Sequence, residues 1–101
     1  MIVYNITIKV DWNIVDEWLI WQKEEHIPEI MATGLFDDYN MCRLLEQDDI
    51  EGPTFTVQYY TSTPERYQQY INEFAVRLRQ KAFARWGDQF VAFRTIMETV
   101  H

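Results

Sequence analysis

Apolar residues at every second position open the chain. Ile2, Tyr4, Ile6, Ile8 and Val10 fall on one face of an extended segment, and Val3, Asn5, Thr7 and Lys9 fall on the other. This predicts a strand over residues 2–10 with one strongly apolar face. The period then lengthens. Ile14, Val15, Trp18, Leu19, Trp21, Gln22, Glu25 and His26 gather on one broad side of a helix, with Asp16, Lys23 and Glu24 pointing away. Asp11 or Asn13 can cap its start. Gln22 and His26 are polar interruptions beside an apolar stripe. Pro28 has no N–H for the carbonyl of Glu24 and disfavours helical geometry at Ile27, so the helix is expected to kink or break around His26 and Ile27. A short turn from Glu29 to Thr33 then closes at Gly34, a residue suited to a left-handed helix end.

The second half alternates again. Residues 35–48 read as a strand, led in by Leu35 and Phe36, with Tyr39, Met41, Arg43 and Leu45 against Asn40, Cys42 and Leu44. The polar turn Asp48-Asp49-Ile50-Glu51-Gly52-Pro53 follows, and residues 54–62 form a third strand, with Phe55, Val57 and Tyr59 on one face and Thr56, Gln58 and Tyr60 on the other. So short a connection implies an antiparallel hairpin. Thr63 and Pro64 then mark a helix start. Tyr67, Tyr70, Ile71, Phe74, Ala75 and Leu78 recur at helical spacing, and Arg77, Arg79, Lys81 and Arg85 lie where the helix dipole favours cations. Trp86-Gly87-Asp88 ends this helix. Residues 89–99 read as a fourth strand, with Val91, Phe93, Thr95 and Met97 against Phe90, Ala92, Arg94 and Ile96.

The order β-α-β-β-α-β, without repeats or linkers, describes one α+β domain over residues 1–101 with the ferredoxin-like sandwich. Right-handed crossovers place both helices on one face of a four-stranded antiparallel sheet. The other face has no helix to cover it. It is expected to carry Asn5, Thr7, Gln58, Tyr60, Ala92, Arg94 and Ile96, with Tyr39, Met41 and Leu45 as further candidates. That mixture suits a subunit interface, hence a homodimer through the sheet face, better than a solvated surface.

Composition narrows the partners. The 101 residues are 48% hydrophobic and 16% aromatic, too rich for disorder. A net charge of −7, from 16 acids and 9 bases, argues against nucleic acid and anionic membrane as partners. The single cysteine excludes an intramolecular disulfide. The first ten residues lack the pattern of a signal peptide, and no apolar run is long enough to span a bilayer, so a cytoplasmic location is expected.

Several segments resemble those of a known group. Tyr4-Asn5-Ile6-Thr7, Trp18-Leu19-Ile20-Trp21, His26-Ile27-Pro28-Glu29, Thr33-Gly34-Leu35-Phe36, Gln58-Tyr59-Tyr60 and Phe93-Arg94-Thr95 are similar to a family of short bacterial proteins known only as a domain of unknown function. That family resembles the dimeric α/β-barrel proteins. The wider superfamily includes cofactor-free monooxygenases acting on polycyclic phenols, haem-degrading and haem-binding enzymes, lactone isomerases and amino-acid-sensing domains. The resemblance implies a homodimer with a small pocket between helices and sheet, and no one reaction. The haem-degrading relatives carry an axial histidine on the second helix. Residues 63–86 contain none here, although Asn5 sits in a strand position of the type those relatives use.

His26 is the candidate catalytic residue, because an imidazole beside a helix break, one turn from Gln22, can exchange a proton near neutral pH. The competing reading is structural, with the ring tying down backbone groups freed by Pro28. Burial would lower its pKa and Glu25 or Glu29 would raise it. The ring is expected to line a cavity between the first helix and the sheet, with Trp21, Tyr59 or Tyr70 in contact. Asn5, Trp21, Tyr59, Tyr70 and Arg94 are candidate ligand-binding residues. For Arg94, an ion pair across the dimer is the expected role. Glu25, His26 and Glu29 lack the helical spacing of a chelating set, so no metal and no cofactor is expected. Cys42 is expected to be a small buried residue. The function classes that remain are a small-ligand-binding dimer, a cofactor-free oxygenase or isomerase with His26 as base, and a purely structural dimer.

Overall fold

The sheet is built on β1 (Ile2–Val10), the most continuously apolar strand in the sequence. In the computed structural model, which describes residues 1–101, β1 lies between β3 (Thr54–Thr61) and β4 (Phe90–Glu98), and β2 (Asp38–Arg43) flanks β3. All pairings are antiparallel, in the order β2-β3-β1-β4. β2 is shorter than residues 35–48: Leu35 and Phe36 are instead buried in the core ahead of the strand.

Register assigns the faces, because residues directly opposite one another project to the same side. Tyr4 pairs with Tyr59 and Ile96, Ile6 with Val57 and Arg94, and Ile8 with Phe55 and Ala92. Tyr4, Ile6 and Ile8 belong to the core under the helices. Ala92, Arg94 and Ile96 therefore lie on the helix-covered face, not on the open one. Tyr39 and Met41 follow, being opposite Tyr59 and Val57, and Leu45 lies beyond β2. The open face instead carries Val3, Asn5, Thr7, Gln58, Tyr60, Val91, Phe93 and Met97. Cys42 also lies on it, across from Thr56, and is exposed rather than buried.

The first helical run comprises α1 (Val15–Trp21), a π-turn (Gln22–His26) and α2 (Ile27–Met31). The kink or break expected around His26 and Ile27 takes the form of this π-turn, with no interruption of the helix, since Ile27 keeps helical angles of φ −60° and ψ −47°. The Ile27 N–H donates to the carbonyl of Gln22, five residues back. This wider turn accommodates a proline that can donate to nothing. Gly34, at φ +76°, ends the run with its N–H on the Met31 carbonyl at 3.1 Å. The second run comprises α3 (Pro64–Tyr70), a π-turn (Ile71–Ala75) and α4 (Val76–Trp86). The Thr63 hydroxyl caps it, accepting from the Arg66 N–H at 3.3 Å.

Trp18, Ile27, Ile30, Tyr70, Ala75, Leu78 and Trp86 seal the two runs onto Tyr4, Ile6, Ile8, Phe55, Val57 and Tyr59 of the sheet. Beyond the β2–β3 hairpin, the loop 46–53 is strapped to the end of β1. The Val10 N–H reaches the Pro53 carbonyl at 3.0 Å, and the Trp12 indole reaches the Asp49 carbonyl at 2.8 Å. Gly52 permits this approach, because a Cβ there would overlap the carbonyl oxygen of Val10.

Candidate functional site

His26 is the last residue of the first π-turn, and Trp21 immediately precedes that turn. The two rings stack, with centroids 4.6 Å apart and planes inclined by 19°. Trp21 in turn meets the edge of Trp86 at 5.9 Å, so α4 buttresses the pair. The stacked rings separate two spaces. On the sheet side lies a narrow pocket of about 40 Å³, lined by Ile6, Trp18, Gln22, Arg79 and Arg94 among others. On the outer side lies an open groove of about 790 Å³ between residues 24–32 and Lys81, Ala84 and Arg85. Trp21 and His26 line both.

Electrostatics make this imidazole neutral. Burial pushes the His26 pKa down to about 4, outweighing the pull of Glu29 in the other direction. Arg94 and Lys81 add to the lowering. Glu29 is engaged by Lys81 at 2.8 Å across the groove. A half-buried neutral imidazole offers one donor and one acceptor, and no charge.

Two arginines complete the lining of the inner pocket. Arg94 reaches it from β4, on the helix-covered face rather than the open one, and forms no ion pair within the chain. Arg79 reaches it from α4 and donates one Nη to the Tyr4 hydroxyl at 3.0 Å, while its Nε is buried without a partner. Gln22, only 2% exposed, also lines the pocket.

The other sequence candidates lie elsewhere. Tyr59 and Tyr70 belong to an aromatic cluster with Tyr4, Phe36 and Tyr67, in which ring centroids are 5.1 to 6.3 Å apart. Burial, with the neighbouring hydroxyls, pushes both phenols up and keeps them un-ionised. The Tyr59 hydroxyl is buried with no partner. Asn5 is on the open sheet face, its amide donating to the Thr7 hydroxyl at 3.1 Å. Of the aromatic rings expected beside His26, Trp21 is the one that touches it. Arg79 was legible only as a helix-dipole cation, although it follows the buried Ala75 by four residues and precedes Ala82 by three, which places it beside the inward stripe. No three His, Cys, Asp or Glu side chains converge to hold a metal ion. No helix is long and apolar enough to cross a membrane.

This sheet order under two helical runs defines a ferredoxin-like protein, and solved structures agree. An ethyl tert-butyl ether d (EthD) family protein of Bacillus halodurans is similar over 99% of this chain and 100% of its own, with TM-score 0.69 and 16% identity. A dimeric ferredoxin-like protein from an uncultured marine organism covers 99% of this chain and 96% of its own, with TM-score 0.68 and 12% identity. A candidate antibiotic biosynthesis monooxygenase of Deinococcus radiodurans covers 100% and 94%, with TM-score 0.66 and 12% identity. Within the class, residues 1–100 match the family described as a domain of unknown function (DUF4286), and the chain belongs to it. Comparison with curated protein sequences finds no match.

Proposed function

We propose that the chain pairs with a second copy through the open face of its sheet and binds a small apolar or aromatic ligand beside His26. The stacked Trp21–His26 pair carries the reading. It presents a flat apolar surface with a neutral hydrogen-bonding edge at the junction of two concavities, the combination that small-molecule sites use. Pairing is supported by the apolar Val91, Phe93 and Met97 exposed on a sheet face without helices. It is also supported by the likeness to the marine protein, which is described as dimeric.

A cofactor-free oxygenase or isomerase is the second reading, favoured by one observation: His26 is unprotonated at neutral pH, as a general base must be. It ranks behind simple binding because a base with a pKa of about 4 is a weak one, and proton abstraction works best with a pKa near the working pH. The test is a titration with small aromatic compounds at neutral pH, followed through the NMR signals of the Trp21 indole and the His26 ring. Saturable shifts at both rings, abolished in His26→Ala with the circular dichroism spectrum unchanged, are expected. Failure of every compound to move either ring rejects the reading. Turnover lost in His26→Ala while binding persists would favour the enzyme.

A further inference from the structure

We infer that the ligand of the His26 pocket carries a carboxylate, held by the guanidiniums of Arg79 and Arg94. This rests on the reading of that site as a ligand pocket and adds the chemical class of what enters it.

The argument starts from a mismatch of charge. The chain has 16 acidic residues against 9 basic ones, so carboxylates are abundant. None lines the inner pocket, and two arginines do. The ion pairs of the structure engage Arg43, Arg66 and Lys81, leaving Arg79 and Arg94 without a counter-charge. Glu29, which acts on His26, is occupied by Lys81. Arg79 is further constrained, since its Nη is fixed on Tyr4 while its Nε–H is buried and unpaired. Unpaired buried donors are uncommon in folded proteins. Both arginines line the same small space, and an anion there would supply the counter-charge that neither has and a partner for the buried Nε–H.

Size and shape select the anion. About 40 Å³ holds roughly three waters at ~10–15 Å³ each, room for a carboxylate head but not for an aromatic body. The planar fork of arginine matches the two oxygens of a carboxylate. Arg94 is exposed as well as pocket-lining, so the acid can enter past β4. The carboxylate then lies against the inner side of Trp21 and His26, and the apolar part projects past β4.

The probes are benzoate and benzamide, which share a shape and differ in charge. Each is titrated at pH 7 into the protein and into Arg94→Gln, following the His26 and Trp21 NMR signals. Benzoate is expected to bind at least tenfold more tightly than benzamide. Arg94→Gln, at an exposed position, should weaken benzoate several-fold more than benzamide and so shrink that preference. Benzamide binding as well as benzoate, or Arg94→Gln weakening both equally, overturns the carboxylate inference and leaves the ligand-site reading standing. If neither probe moves either ring, the carboxylate inference falls, and the ligand-site reading falls with it only when the other aromatic compounds fail as well.

Discussion

His26 stacked on Trp21 makes the fold sensitive to pH in a defined direction. The imidazole is held neutral in the folded chain, with a pKa of about 4, and returns to about 6.5 on unfolding. Between those values the unfolded chain binds the extra proton, so stability rises with pH. The contribution is complete above pH about 6.5 and is lost as pH falls through about 4, and it amounts to about 3 kcal/mol at most. Glu29, Lys81 and Arg94 face the ring and set the rest of the balance. Urea unfolding at pH 7 and pH 5 should show the wild type losing more stability than His26→Phe, which cannot protonate. Equal losses would mean that the ring is not held neutral. The sequence placed this ring on the buried stripe but left open whether burial or the nearby glutamates wins. Burial wins, and its depth is set by packing against segments remote in the chain, with Arg94 and Lys81 adding to the same direction.

At the scale of the element, β4 shows what a pattern of alternation can and cannot fix. Its existence and bounds were legible within a residue or two. Its phase was not, because Phe90, Ala92 and Ile96 on one side are matched by Val91, Phe93 and Met97 on the other, and a slip of one residue exchanges the faces. The same ambiguity put Arg94, a ligand-binding candidate from its sequence, on the wrong face of the sheet. It also left Phe93, 65% exposed, unrecognised as part of the open face. Phe93→Asp should therefore convert a dimer to a monomer by light scattering at micromolar concentration, with the circular dichroism spectrum retained. A dimer mass that survives this change, or a monomer mass in the wild type, counts against pairing through this surface. Pro28 shows the converse. Its rule was sound, but the missing donor is absorbed by widening one turn, which propensity does not register.

For the whole molecule, the order of elements was readable because the hydrophobic period switches cleanly between two and three-to-four, and handedness then left few arrangements. The sheet order follows from it, and it places β1 against β4 over nine paired residues, from Ile2 opposite Glu98 to Val10 opposite Phe90. The chain ends meet there, with the Thr99 N–H on the Met1 carbonyl at 2.9 Å. Pairings between such distant segments carry a loop-closure cost before they return any contact, so the meeting of β1 and β4 slows folding relative to a chain in which they are neighbours. Linking His101 to Met1 through a short flexible segment and opening the chain between Gly87 and Asp88 would make β4 and β1 neighbours in sequence while keeping the β2–β3 hairpin. Stopped-flow refolding of that rearranged chain should be several-fold faster than that of the natural order, with an unchanged circular dichroism spectrum. A rate no faster would mean that the meeting of first and last strands is not what sets the tempo of folding.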